Sequence, residues 1–340
     1  MKVIFFLSFV VFIACNDKIE EKQEQQSVLT LLSKEIALTP NNPELFVKRA
    51  KYFITENNLQ SALVDYQQCL KLLPSNGHYH YKVAYLYYEI AKVDKTKQRY
   101  PEKALSHLEK ALQLHSDSIL VLLLKAELQL VFSEPKKAIL YLNQVIELDY
   151  NVPKAHLLKG YIYSALGDEV KAKQFFHNAI DIDVNYEEAY VQLGLIYQKK
   201  KDSTAVMFYK NVLRITPNNK LALFNLAKFY QDTEQWNYAI EYYTTLLQYY
   251  PTYSDAYYNL GFVHIKLGLY DIASKDFSQA ISFNSNFFQA FYSRGHCYET
   301  LGDIYHAELD YKKAISINPS YDAAQVSLEN LYTKNKQIKK

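Results

Sequence analysis

Glycine is scarce in this 340-residue sequence, with 8 residues against 32 tyrosines and 18 phenylalanines. That shortage leaves little material for hairpin turns or for loops that cradle phosphate, and it favours helices. Tryptophan occurs once and cysteine three times. An excess of one charge is missing as well. The 38 basic and 36 acidic residues leave a net charge of +2, and the longest like-charged block is Lys199-Lys200-Lys201. A nucleic-acid binder should carry a basic stripe, so no nucleic-acid partner is expected. No nucleophile elbow and no His-Glu-x-x-His helix occurs. The abundant rings, in contrast, suit helix interfaces and binding surfaces.

Long apolar runs are absent except at the N-terminus. After Met1-Lys2, residues 3–14 are apolar apart from Ser8. About 20 apolar residues are needed to cross a bilayer. This run is shorter and has the proportions of a secretory signal peptide ending at the small residue Ala14. Phe12-Ile13-Ala14-Cys15 resembles a lipobox, with Phe12 where Leu is usual. The resemblance implies lipidation of Cys15 by more than one acyl chain, and such chains together anchor stably at ~0.8 kcal/mol per buried CH₂. Residues 15–27 hold few apolar side chains and read as a flexible tether. Cys69 and Cys297 lie 228 residues apart. They read as small core residues, not as a disulfide, because contacts in a repeat array are local.

The rest of the chain repeats itself. A small residue recurs at Ala50, Ala84, Ala126, Gly160, Gly194, Ala227, Gly261 and Gly295. The steps are 34, 42, 34, 34, 33, 34 and 34. A second small residue follows twelve later at Ala62, Ala138, Ala172, Ala239, Ala273 and Ala307, one early at Ala205, and eight late at Ala104. Four beyond it stands Tyr66, Leu108, Leu142, Phe176, Tyr209, Tyr243, Phe277 or Tyr311. Helices approach closely only where one presents a small side chain, so each small residue should admit its partner's ring. Gly167, Gly268 and Gly302 share one place, suited to the left-handed backbone that ends a helix. Pro74, Pro217, Pro251 and Pro319 close units, since proline cannot continue a helix.

Period and marks together resemble the tetratricopeptide repeat. A good copy is 254–287, with Tyr257, Leu260, Gly261, Ala273, Phe277 and Ala280; it departs at His264 and Ser285. Eight copies are expected over 43–321. A partial repeat helix at 28–42 precedes them, and a capping helix and tail at 322–340 follow. The resemblance implies an all-α, right-handed superhelical solenoid. The insertion at 89–103 reads first as a tolerated loop insertion, with longer helices in the second repeat or a basic projecting loop as the alternatives.

In this family the first helix of each pair lines the concave side. Its second, fifth, ninth and twelfth places share one helix face. The partner-binding residues so implied are Tyr81, Tyr85, Tyr88, Leu123, Glu127, Tyr161, Phe224, Lys228, Tyr258, Phe262, Tyr292 and His296. Leu120, Leu130, Leu157, Val191, Leu195, Gln231 and Glu299 extend the row. The Lys and Asn that clamp a terminal carboxylate in some members are replaced by Val47 and Lys51, or by Tyr81 and Tyr85. His78 and His80 are two apart and point differently. The other histidines are scattered, so no metal and no cofactor is expected. The expected function is a scaffold or adaptor, not an enzyme, lipid-anchored in the bacterial envelope at the outer membrane and holding a protein segment. The alternative is a glycan- or nutrient-binding surface lipoprotein.

Overall fold

The computed structural model describes residues 28–114 and 118–338, with side chains as far as Thr333. The signal segment, the tether with Cys15, and His115 lie outside the described residues. Among the described residues every regular element is an α-helix. The first helix, α1, covers 28–38. Then come α2 (Pro43–Thr55), α3 (Leu59–Leu72), α4 (Gly77–Val93), α5 (Tyr100–Gln113), α6 (Ser118–Val131) and α7 (Pro135–Leu148). They are followed by α8 (Pro153–Ala165), α9 (Glu169–Ile182), α10 (Glu187–Gln198), α11 (Thr204–Ile215), α12 (Lys220–Asp232) and α13 (Trp236–Tyr249). The last are α14 (Ser254–Lys266), α15 (Tyr270–Phe283), α16 (Phe288–Thr300), α17 (Ile304–Ile317) and α18 (Asp322–Ile338). The chain folds as two compact units, one ending at Ile162 and one beginning at Tyr163. Helix hairpins α2–α3, α4–α5 and α6–α7 build the first, and α10–α11, α12–α13, α14–α15 and α16–α17 build most of the second.

Local chemistry sets the helix ends. Side chains of Asn42, Asn58, Asn76, Asp168, Asn219 and Asp303 each accept a hydrogen bond from a first-turn N–H, which satisfies a donor that has no partner within the helix. Pro74, Pro217, Pro251 and Pro319 stand two residues past the ends of α3, α11, α13 and α17. Inside the α10–α11, α14–α15 and α16–α17 hairpins a bulky ring meets a glycine. A Cβ on Gly194 would come within 2.5 Å of the Tyr209 ring, and on Gly261 within 2.9 Å of Phe277. Tyr209 and Phe277 are fully buried. Cys69 and Cys297 are free, buried thiols, pushed up by burial to about 11 and about 12.

The turn inside the hairpin is built the same way in seven of the eight repeats. The residue seven beyond the small one has positive φ at Asn57, Ser133, Gly167, Lys201, Glu234, Gly268 and Gly302, between 54° and 84°. Glycine occupies three of these seven places. A left-handed residue other than Gly costs about 1–2 kcal/mol, and Asn pays least. We therefore expect Ser133→Gly, Lys201→Gly and Glu234→Gly each to raise stability by roughly 0.5–1 kcal/mol after glycine's own entropy cost. Urea midpoints check this, and Asn57→Gly should change least.

The second repeat differs. Its α4 has 17 residues where α2, α14 and α16 have 13, so the insertion lengthens the first helix and leaves a short connection at 94–99. Across that connection Tyr100 lies edge-on against Tyr87, with ring centroids 4.7 Å apart.

Candidate functional site

In the first unit α4 carries Tyr81, Tyr85 and Tyr88 at spacings of four and three, so they lie along one helix face. All three are half-buried. The Tyr81 and Tyr85 rings are 6.5 Å apart, and Lys82 Nζ lies 5.6 Å from the Tyr81 ring centre. Burial and then the nearby Lys51 lower the Lys82 ammonium from its usual value. Tyr88 is hydrogen-bonded to the Glu127 carboxylate; burial first and then that charge push its phenol far above the ordinary range. Glu127 in turn pairs with Lys154 Nζ at 2.5 Å. Helices α4, α6 and α8 thus present one connected surface of rings and an ion pair.

Leu123 is placed otherwise than the repeat register implies. It is 6% exposed and packs among Leu122, Ala126 and Leu158. Leu157 and Val191, at the same fifth place, are buried as well. An aliphatic side chain there turns into the contact between successive repeats, so Leu123 is core and not a partner contact. Tyr161, at the ninth place, remains half-buried against the neighbouring core.

In the second unit the fifth place again serves packing. The Phe224 ring lies 5.7 Å from Tyr253 and 6.1 Å from Tyr243. Tyr258 lies 4.8 Å from Phe287, and Tyr292 lies 5.3 Å from Tyr321. These rings are half-buried. The ninth place is more open. Lys228 pairs with Asp232 at 2.7 Å, Phe262 carries Lys266 Nζ 5.2 Å from its ring, and His296 is exposed.

In the second unit the twelfth place is structural. Tyr209, Tyr243 and Tyr311 donate their hydroxyls to Gln198, Gln231 and Glu299 at 2.5, 2.8 and 2.8 Å. Where the buried ring is Phe277, the twelfth place holds Ile265, packed against the same core. Gln231→Ala leaves a buried hydroxyl unsatisfied and should cost about 1–3 kcal/mol. The pair Gln231→Leu with Tyr243→Phe copies the Ile265–Phe277 solution and should restore most of it. A double-mutant cycle by urea unfolding reads the difference.

Three groupings escape a residue-by-residue reading of the sequence. Arg49 meets Asp65 and Ser33, and Arg294 meets Asp310 and Ser278, each at an offset of 16 residues. The signal was that shared offset. His80 and His107 meet through their Nδ1 atoms at 2.9 Å, although His107 looked scattered. Among the described residues no group of three or more His, Cys, Asp or Glu could hold a metal ion.

Models of the tetratricopeptide repeat match residues 153–186, 187–219, 221–253, 254–287 and 288–321. Residues 153–321 are therefore tetratricopeptide repeats. Such repeats support the reading of a protein-interaction scaffold. Two crystal structures of MamA are similar to it, at 24% and 25% identity over 49% and 47% of this chain. They match over 92% and 94% of their own length, with TM-scores of 0.46 and 0.45. A chain of the APC/C hetero-tetramer Cut9–Hcn1 is 15% identical over 91% of this chain, with a TM-score of 0.51, and shares the fold alone. This chain spans 59% of that one. Among curated proteins no sequence matches.

Proposed function

We propose that this protein is a membrane-anchored scaffold of the bacterial envelope that binds a segment of a partner protein along its first-helix face. The observation that carries this reading is the surface of Tyr81, Tyr85 and Tyr88 with the Glu127–Lys154 pair, held on packed helices. Half-buried rings on a packed frame gain contact area at low entropy cost, and Tyr is favoured at interfaces. Charged groups at the margin would set the register of the bound segment. The role is binding and not catalysis, consistent with a surface whose polar groups are engaged in packing. The lipobox-like Phe12-Ile13-Ala14-Cys15 supports an acylated Cys15 at the outer membrane, on its periplasmic or surface face. Among the described residues no helix is long and apolar enough to cross a membrane.

Photo-cross-linkers at Tyr85 and Phe262 in intact cells test the partner. One protein species captured stoichiometrically is expected from both, and capture of none would end the reading. Cys15→Ser should release the chain from the membrane fraction. The glycan-binding alternative has one observation in its favour, a cleft of about 330 Å³ lined by Trp236, Tyr238, Asn237 and Glu234. It ranks second because Tyr238 stacks on Tyr230 at 4.9 Å, which engages one face of its ring.

A further inference from the structure

We propose that the cleft between α3 and α5, apart from the first-helix face, is a binding site for a small oxyanion. The cleft measures about 490 Å³ and is lined by Lys71 of α3, Lys110 of α5, the two imidazoles of His80 and His107, Gln67, and the inter-repeat turn at Pro74. Lys71 and Lys110 are exposed and make no ion pair among the described residues. No carboxylate is among the described residues that line the cleft. Two uncompensated ammonium groups around one concavity focus a positive potential there and favour an anion. Two imidazoles beside two ammonium groups would serve a metal cation poorly.

The histidine pair gives the site a proton to use. His80 is buried, and its Nε2 lies 3.0 Å from the Pro74 carbonyl, which fixes a hydrogen on that nitrogen. With both rings neutral, His80 Nδ1 therefore accepts and His107 Nδ1 donates across their 2.9 Å contact. His107 Nε2 keeps its lone pair. Protonation there adds a donor toward the cleft without breaking either existing hydrogen bond. The groups facing His107 are His80 and Tyr87 from α4, Gln67 and Lys71 from α3, and Lys110 from its own helix. None is a carboxylate, so no described group facing the ring favours the imidazolium. A bound oxyanion supplies the missing negative charge and should draw in one proton.

Calorimetric titration of the full chain with sulfate tests this, because sulfate does not itself titrate near neutrality. One sulfate per chain is expected. Its affinity should fall by up to about ten-fold per pH unit between about pH 6 and 7, as uptake of one proton requires. The double variant Lys71→Ala/Lys110→Ala changes two exposed residues and should weaken binding at least about ten-fold with unchanged circular dichroism. His107→Asn should bind with no pH slope. Phosphate stronger than acetate would assign a phosphoryl group as the ligand, and the reverse a carboxylate; either supports an oxyanion site. No heat with any of the three anions overturns the proposal. So does equal affinity in the double lysine variant, or binding of Ni²⁺ or Zn²⁺ at the histidines with no anion response.

Discussion

Replacing Asp65 or Asp310 by Asn should lower the stability of its unit by about 3–5 kcal/mol, the usual cost of removing one partner of a buried ion pair. Asp65 is 2% exposed and Asp310 5%. Arg49 grips Asp65 with Nε at 2.8 Å and Nη2 at 2.6 Å, and Arg294 grips Asp310 with both at 2.7 Å. The third nitrogen of each fork reaches Ser33 or Ser278 on the preceding helix. Each guanidinium also lies 5.6–5.9 Å from two rings, Phe46 and Phe53 in one case and Phe291 and Tyr298 in the other. The same five-residue network thus stands in the first hairpin and in the last. Each links three helices in succession, α1 to α3 and α15 to α17.

An uncharged amide at 65 or 310 would leave that cation partly buried without its counter-charge. The array also contains the apolar answer to the same position, because Leu193 and Phe208 occupy these places in the fifth repeat and are both buried. Arg49→Leu with Asp65→Phe should therefore be less destabilising than Asp65→Asn alone. Unfolding of a repeat array need not be two-state. Amide exchange in α2 and α3 is the appropriate measure, and unchanged protection in Asp65→Asn would refute the assignment.

The period alone made most of the fold legible. Small residues at fixed steps located the crossings where Gly194 and Gly261 admit Tyr209 and Phe277, and Gly167, Gly268 and Gly302 located left-handed turns. The same turns at Asn57, Ser133, Lys201 and Glu234 carry no glycine; there register, not residue type, was the signal. The site was less legible. A rule that assigns the fifth and ninth places to one face ignores how successive repeats press together, so it placed Leu123 on a surface that the core claims. The pairing of His80 with His107 was hidden by the eight-residue insertion. In the fifth repeat the fourth and twenty-third places are Tyr190 and Phe208, 18 residues apart, with ring centroids separated by 6.4 Å. In the second repeat the same two places are 27 apart, and the match appears once the insertion is taken out.

That histidine pair makes the first unit sensitive to acid. Burial chiefly, with the nearby His80 and Lys110 cooperating, holds the His107 imidazole down to about 4, against an ordinary value of 6.5. Burial lowers His156 in the same unit as well. The folded state therefore resists protons that the unfolded chain accepts, and the unfolded chain binds more protons between about pH 6.5 and 4. The stabilisation from a neutral His107 is complete above that window and is lost as pH falls through it. For an imidazole still partly open to solvent, the loss by about pH 5 should be about 1–2 kcal/mol. Carboxylates titrate nearby, so the effect is isolated by comparison with His107→Phe, which borrows the ring that Phe208 places at the equivalent position. Between about pH 7.5 and 5, the urea stability of the wild type should fall by about 1–2 kcal/mol more than that of the variant. Parallel pH curves for the two proteins would mean that the imidazole at 107 is solvated, and that the relay from Pro74 through His80 does not hold it neutral.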